Sequence, residues 1–292
     1  MSGFLTEPAP VAERPPVQVD AEVAAARPVG AYVELTLAAP EIARAAEPGQ
    51  FVAFAVGGPT SAMLLRRSIA IAGTAGGRVT VVVAPHGVGS TWLAGLRAGD
   101  RVDVVGPLGR PFPLPPPGTP ALLVGGGYGA AALVGLAARL RAQGSPVAAV
   151  AGAADTDRLC SVAELGELAE VTVTTDDGSA GRRGWVTDAT AGLLGAAGIV
   201  YACGPMAMLR AVADQATAAG LPSYVAVEEA MACGIGVCMT CVLPVVGADG
   251  RTRFSRSCTE GPVFGGDRVR FADVGTLPAD VVGADAMGVV LS

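Results

Sequence analysis

Four of the six cysteines fall in one stretch, Val227–Phe264. Cys233, Cys238 and Cys241 are spaced C-x4-C-x2-C, and Cys258 follows after 16 further residues, just ahead of Thr259-Glu260-Gly261-Pro262-Val263-Phe264. Such spacing belongs to plant-type [2Fe–2S] ligation. Two irons bridged by two sulfides need four thiolates, so a short loop supplies three and a separate segment the fourth. Gly234 and Gly236 let that loop bend tightly with φ > 0. Its N–H groups can then point at the sulfurs and tune the potential. A structural zinc would normally pair two C-x2-C units, and this chain has one. A disulfide framework belongs in small secreted domains. The spacing therefore favours a two-iron cluster on Cys233, Cys238, Cys241 and Cys258.

A second set of residues is suited to a nucleotide. Val124-Gly125-Gly126-Gly127-Tyr128-Gly129 lies between an apolar strand and a helical pattern. Glycines there permit a tight turn and close approach of a pyrophosphate to a helix N-terminus. The run is not a complete G-x-G-x-x-G, because Ala130 takes the last position, and a Gly-rich packing turn is the alternative. Ala202-Cys203-Gly204-Pro205-Met206 ends a later strand and opens a helix, with Pro205 at an N1-like position. A buried cysteine before an ordinary helix start would look the same. Asp176-Asp177-Gly178 follows another strand, where Asp177 could accept from ribose hydroxyls or simply hold a solvated turn. Arg66-Arg67-Ser68-Ile69-Ala70-Ile71 sets two guanidiniums at a strand start, suited to phosphate. Gly87-Val88-Gly89-Ser90-Thr91 could offer N–H groups and hydroxyls to another phosphate; a surface Arg pair and a capped helix are the plain alternatives. His86 is the single histidine, which weakens Ser–His and Cys–His mechanisms. Hydride and electron transfer need no obligate side-chain base, because the cofactors carry the chemistry.

The elements that must position these residues follow from pattern. Gln18–Ala26, Tyr32–Ala38, Phe51–Val56, Ser68–Ala72, Val79–Ala84 and Arg101–Val105 read as short strands separated by Gly and Pro turns, with a short helix at Thr91–Leu96. That pattern predicts a β-barrel. A Pro-rich connector, Pro107–Pro120, cannot form a helix or a central strand. Strands then alternate with helices from Ala121 to Val227, which predicts a doubly wound parallel sheet. Expected boundaries are a disordered tail over 1–16, a barrel over 17–114, an α/β domain over 115–226, the cysteine module over 227–270 and a C-terminal tail over 271–292.

Composition narrows the function classes. Hydrophobic residues are 51% and charged residues 16% of the 292-residue chain, so apolar core is ample. Net charge is −6, and the basic residues are interspersed with acidic ones, which disfavours nucleic-acid binding. Every basic residue is Arg, so no lysine is present for a Schiff base. No basic, then apolar, leader opens the sequence. The apolar run Ala121–Leu140 is broken by Gly125, Gly126, Gly127 and Gly129, which suits strand–turn–helix better than a membrane span. A soluble cytoplasmic protein with reduced cysteines is expected.

Together these motifs resemble the electron-transfer subunits of type B dihydroorotate dehydrogenase, in the ferredoxin reductase-like superfamily. The most specific matches are Glu228-Glu229-Ala230-Met231-Ala232-Cys233-Gly234 through Cys241, and Cys258 through Phe264. Pro48-Gly49-Gln50-Phe51, Gly106-Pro107-Leu108-Gly109, the Gly125 loop, Asp176-Asp177-Gly178 and Cys203-Gly204-Pro205-Met206 also fit. The resemblance implies an FAD-binding barrel, a nicotinamide-binding α/β domain and a terminal [2Fe–2S] module. The family's Arg-Pro-x-Ser flavin motif falls on Arg67-Ser68-Ile69-Ala70, so Arg67 would meet the FAD phosphates while the usual hydroxyl is missing at Ala70. Gly89, Ser90 and Thr91 match the second phosphate segment. The resemblance further implies NAD near Cys203, Gly204 and Pro205, hydride exchange with FAD, and single-electron exchange with the cluster. The resemblance also implies FMN in a separate dihydroorotate-oxidising catalytic subunit, reached across a rim that includes Met239 and Thr240, and a heterotetramer of two copies of each subunit serving pyrimidine biosynthesis. Alternatives are a flavin/iron–sulfur NAD(P)H reductase subunit of a sulfhydrogenase or ferredoxin–NADP reductase-type complex, and a zinc-stapled interaction module.

Overall fold

Period-two burial along the N-terminal third builds a closed antiparallel barrel. The structure is a computed structural model and describes residues 15–58 and 60–287; most of the expected N-terminal tail, and the last residues of the C-terminal one, lie outside them. The barrel strands are β1 (Val17–Val29), β2 (Tyr32–Ala38), β3 (Phe51–Phe54), β4 (Arg67–Ala75), β5 (Arg78–Val83) and β6 (Arg101–Leu108), closed in the order β1-β2-β5-β4-β3-β6. Val23, Leu35, Leu37, Val52, Phe54, Val81, Val83 and Val104 point inward and are fully buried. Burying each contributes about 1.5–3 kcal/mol over leaving it exposed. Closure also removes free strand edges. Two helices interrupt the strands: α1 (Pro40–Ala45) and α2 (Val88–Ala94). The sequence pattern missed α1, whose first residue is a proline that fits a first helical turn, and it placed α2 three residues late.

Beyond the Pro-rich connector, continuous apolar strands build a sheet covered on both faces. Its elements are β7 (Ala121–Gly126), α3 (Ala131–Ala142), β8 (Val147–Ala153), α4 (Val162–Gly166), β9 (Glu170–Thr175), β10 (Arg182–Arg183), α5 (Val186–Leu193), β11 (Ile199–Cys203), α6 (Met206–Ala218) and β12 (Ser223–Ala226). Leu122, Val124, Val150, Val200 and Ala202 face one core, and Leu123, Ala149, Ile199 and Tyr201 the other. Sheet order is β10-β9-β8-β7-β11-β12-β15. The chain winds outward from β7 through β8 and β9, then returns to the other side of β7 as β11. The order therefore reverses between β7 and β11, where such sheets bind ligands at their carboxyl ends.

The cysteine stretch is woven into both preceding units. It contributes the hairpin β13 (Val242–Val246) and β14 (Thr252–Arg256), then β15 (Val263–Gly265), which adds antiparallel to β12 as the sheet's edge strand. At the barrel side, Arg110 N–H donates to the Gly261 carbonyl (2.5 Å), Phe112 N–H to that of Pro48 (2.8 Å) and Gln50 Nε2 to that of Gly109 (2.8 Å). The turns around Pro48, Gly106 and Gly261 thus form one junction. The peptide bonds before Pro107 and Pro262 are cis. Gly109 has φ +79°, and a Cβ there would stand 2.6 Å from Pro262 Cδ.

The segment after Arg270 packs on the outer side of the hairpin. Val281 pairs with Thr252, Val282 N–H donates to the Thr252 carbonyl (2.9 Å), and Val281 and Ala284 are buried. Arg270 bonds Asp273 and Asp280, each at 2.6 Å. Among the described residues no helix is long and apolar enough to cross a membrane.

Candidate active site

Two loops that the sequence marked separately interlock at the reversal between β7 and β11. A Cβ at Gly129 would lie 2.6 Å from the Cys203 carbonyl oxygen, and one at Gly126 would lie 2.6 Å from Met208 Sδ and 2.9 Å from Pro205 Cδ. Gly204, at φ +151°, would set a Cβ 3.0 Å from Gly126 Cα. Gly125 abuts Ala130, and Gly127 takes φ +54°. These glycines leave a cradle of bare backbone that side chains would fill. Pro205 occupies the N-cap position of α6, one place earlier than its N1-like expectation, and Met206 begins the helix. Burial, and then the nearby Glu228 carboxylate, push the Cys203 thiol up to about 12. It is a neutral lining group and not a nucleophile.

Asp177 stands apart from this cradle, at the end of β9, two strands from β7. Its Oδ1 accepts from the Ser179 hydroxyl (2.7 Å) and N–H (2.9 Å), which hold its carboxyl below the ordinary range. It organises a turn that, through Ser179 Oγ, also accepts from Thr156 N–H beyond β8 (2.9 Å).

On the barrel, the Arg67 guanidinium lies against Gly89, where a Cβ would come within 2.5 Å of Arg67 Nε. The two candidate phosphate segments therefore meet. Arg67 Nη1 donates to the Leu65 carbonyl (2.7 Å). Ser90 Oγ accepts from the His86 and Gly87 N–H groups (both 3.0 Å), so its hydroxyl caps α2, and Thr91 N–H donates to the Gly87 carbonyl (2.8 Å). Arg66 instead salt-bridges Asp103 (2.5 Å) and bonds the Ala53 carbonyl (3.2 Å), a barrel-wall role. Ile69 packs against the barrel core. By strand periodicity Ser68 and Ala70 share the opposite face.

Against that face sits the cysteine loop. A Cβ at Gly234 would stand 3.6 Å from Ser68 Oγ and 3.7 Å from the side chains of Ala53 and Leu108. Gly234 and Gly236 take φ +70° and +83°, as their expected bending role requires, and Met239 shares the left-handed region at +59°. The Ile235, Val237 and Cys238 N–H groups converge on Cys233 Sγ at 3.5, 3.3 and 3.5 Å. Cys238 is exposed beside Cys233, while Cys241 and Cys258 are buried together. The thiols lie as Cys233 with Cys238 and Cys241 with Cys258, and a two-iron centre shares four thiolates between two metals, so this donor set fits such a cluster. Hydrogen bonds from the Thr240 hydroxyl and N–H lower the Cys238 thiol to about 6, and burial beside Cys241 raises that of Cys258 to about 12. Ile235, Val237 and Met239 form an exposed apolar rim.

Known proteins agree with this geometry. The family model for the iron–sulfur cluster binding domain of dihydroorotate dehydrogenase B matches residues 228–270. The dihydroorotate dehydrogenase B (NAD(+)) electron transfer subunit of Geobacillus thermodenitrificans is 40% identical over 235 residues, covering 79% of this chain and 90% of the relative. The chain belongs to this family of electron transfer subunits. That of Streptococcus mutans is 36% identical over 222 residues, 75% of this chain and 84% of the relative. Among solved structures, an NADH-dependent reduced ferredoxin-NADP oxidoreductase superposes with a TM-score of 0.78 at 29% identity, over 92% of this chain and 96% of its own. An Amycolatopsis cytochrome P450 reductase does so at 0.59 and 28%, over 71% and 67%. The barrel, the α/β domain and the flavin-linked oxidoreductase class stated from the sequence are those of this family.

Sequence reasoning passed over Tyr128 and Glu228 as site residues. In the sequence Tyr128 stands within the Val124–Gly129 run with no role of its own. Its phenol donates to Glu228, and its ring meets Tyr32 edge-on (5.6 Å) and His86 at a tilt (6.1 Å). A large aromatic between glycines at a strand end was the available signal.

Proposed function

We propose that this chain relays electrons between a nicotinamide dinucleotide and a dihydroorotate-oxidising partner, with FAD on the barrel, NAD in the α/β crevice and a [2Fe–2S] cluster on Cys233, Cys238, Cys241 and Cys258. The seating of the cysteine loop on Ser68 carries this reading, because it sets the thiols beside the strand that also presents Arg67. When bound, the three groups supply hydride and single-electron chemistry. The chain's residues bind and orient them. Arg67 and the backbone around Gly89 and Thr91 hold flavin phosphates, Ser90 fixing that backbone. Ser68 and Ala70, with the Ile69 backbone between them, carry the isoalloxazine edge, while the Ile69 side chain packs against the barrel core. Gly125, Gly126, Gly127 and Gly129 admit the pyrophosphate, Asp177 orders the ribose side, and Cys203, Gly204, Pro205 and Met206 line the nicotinamide end.

Residues 17–114, 115–226 and 227–270 serve as the three functional modules. The partner is the FMN-containing catalytic subunit of type B dihydroorotate dehydrogenase, two copies of each making a cytoplasmic heterotetramer, docked over Ile235, Val237 and Met239. The extensive likeness to an NADH-dependent ferredoxin-NADP oxidoreductase supports a second reading, in which the same relay serves another complex.

Protein purified without oxygen should contain two irons, two acid-labile sulfides and one FAD per chain, as the cluster chemistry requires. Mixed with the FMN subunit, it should reduce NAD when given dihydroorotate. A loaded relay that passes no electrons from that subunit would favour the second reading. Zinc without iron or sulfide would sink both.

A further inference from the structure

Tyr128 is a cradle side chain that touches all three modules. It rises from the Gly125–Gly129 loop, packs on Tyr32 and His86 of the barrel, and hydrogen-bonds Glu228 at the start of the cysteine module. Tyr32 is itself anchored, its hydroxyl donating to the Arg158 carbonyl (3.1 Å). Gly127 sits directly beneath, where a Cβ would meet the Tyr32 hydroxyl at 3.2 Å. Burial, then the hydrogen bond to Glu228 and its charge, raise the Tyr128 phenol's pKa, and the Cys203 thiol raises it further. The ring is half-buried and Glu228 is exposed.

We propose that Tyr128 is a gating residue for the nicotinamide end of the dinucleotide, latched across the crevice by its hydrogen bond to Glu228. The inference rests on the crevice being a nicotinamide dinucleotide site. Gly129, the next residue after Tyr128, abuts the Cys203 carbonyl and Gly204 Cα, which sets Tyr128 beside the nicotinamide end of the proposed site. The latch therefore opens for a ligand that carries a nicotinamide and stays closed for one that lacks it. Opening the latch draws on the ligand's binding free energy, so releasing it should tighten the nicotinamide-bearing ligand roughly tenfold or more.

The test is calorimetric titration of the oxidised whole chain, loaded with FAD and cluster, with NAD and with ADP-ribose, which lacks the nicotinamide. Tyr128→Phe keeps the ring contacts and removes the latch; Glu228→Ala removes it from the other side. Both should tighten NAD about tenfold and leave ADP-ribose unchanged, and the double variant should do no more than either single one. Unchanged or weaker NAD binding in Tyr128→Phe, with ADP-ribose still bound, overturns the gate and leaves the crevice reading standing. A parent chain that binds neither ligand overturns both.

Discussion

Replacing Gly129 with alanine isolates the interlock of the two crevice loops. Gly129 does not have positive φ, so alanine can adopt its backbone and only contact is at issue. The added methyl would meet the Cys203 carbonyl oxygen at 2.6 Å, its carbon at 2.7 Å and Gly204 Cα at 2.8 Å, where ordinary contact begins at 3.4 Å. All three neighbours are backbone, so β7 and β11 loops must part by roughly 0.8 Å, an overpacking that costs about 2–3 kcal/mol. For a domain of this size each kcal/mol lowers Tm by about 2–4 °C, which gives a drop of about 4–12 °C. A displaced cradle should also weaken ADP-ribose at least about tenfold. Thermal melting and calorimetric titration of the same preparation read both effects. Gly192→Ala is the control: exposed in α5 with nothing within 4 Å of its Cβ, it should stabilise by about 0.5–1 kcal/mol. A Gly129→Ala chain that melts within about 1 °C of its parent and binds ADP-ribose equally would refute the interlock.

Three more predictions concern the barrel face, the thiols and the tail. Ser68 offers a hydroxyl on the face where Ala70 lacks one, so Ser68→Ala should lower FAD affinity and Ala70→Ser raise it, each by about 2- to 10-fold, read by flavin fluorescence titration. In the metal-free chain, Cys238 should be alkylated by iodoacetamide far faster than buried Cys258, with a rate that falls as pH drops through about 6, because the thiolate is lost there; mass mapping of early adducts checks this. Removing residues 276–292 deletes buried Val281 and the Asp280 partner of Arg270, and exposes the edge of β14. The loss, about 1.5–3 kcal/mol from Val281 alone, should lower Tm and shorten the lifetime of cluster absorbance in air.

Local chemistry was legible in the sequence wherever neighbours along the chain supply it. The C-x4-C-x2-C loop with its glycines, the strand–helix alternation and the Gly125 and Cys203 turns each depend on contacts within a few residues. Backbone freedom, periodicity and thiol spacing are therefore written directly in the order of residues. The element boundaries shifted by a residue or a few; α1 and β10 escaped as one short turn and a two-residue pair, and β13, β14 and β15 lie in the cysteine module, where the pattern predicts no strand. The chain order alone could not say that Arg67 would rest on Gly89, that Gly234 would seat on Ser68, or that β15, starting at Val263, would close the edge of a sheet begun at Ala121. Nor could it place the Tyr128 phenol on Glu228, 100 residues away. Those pairings arise when three cores are packed at once, and the free energy that selects them belongs to long-range burial and contact shape, which no local stretch of sequence carries.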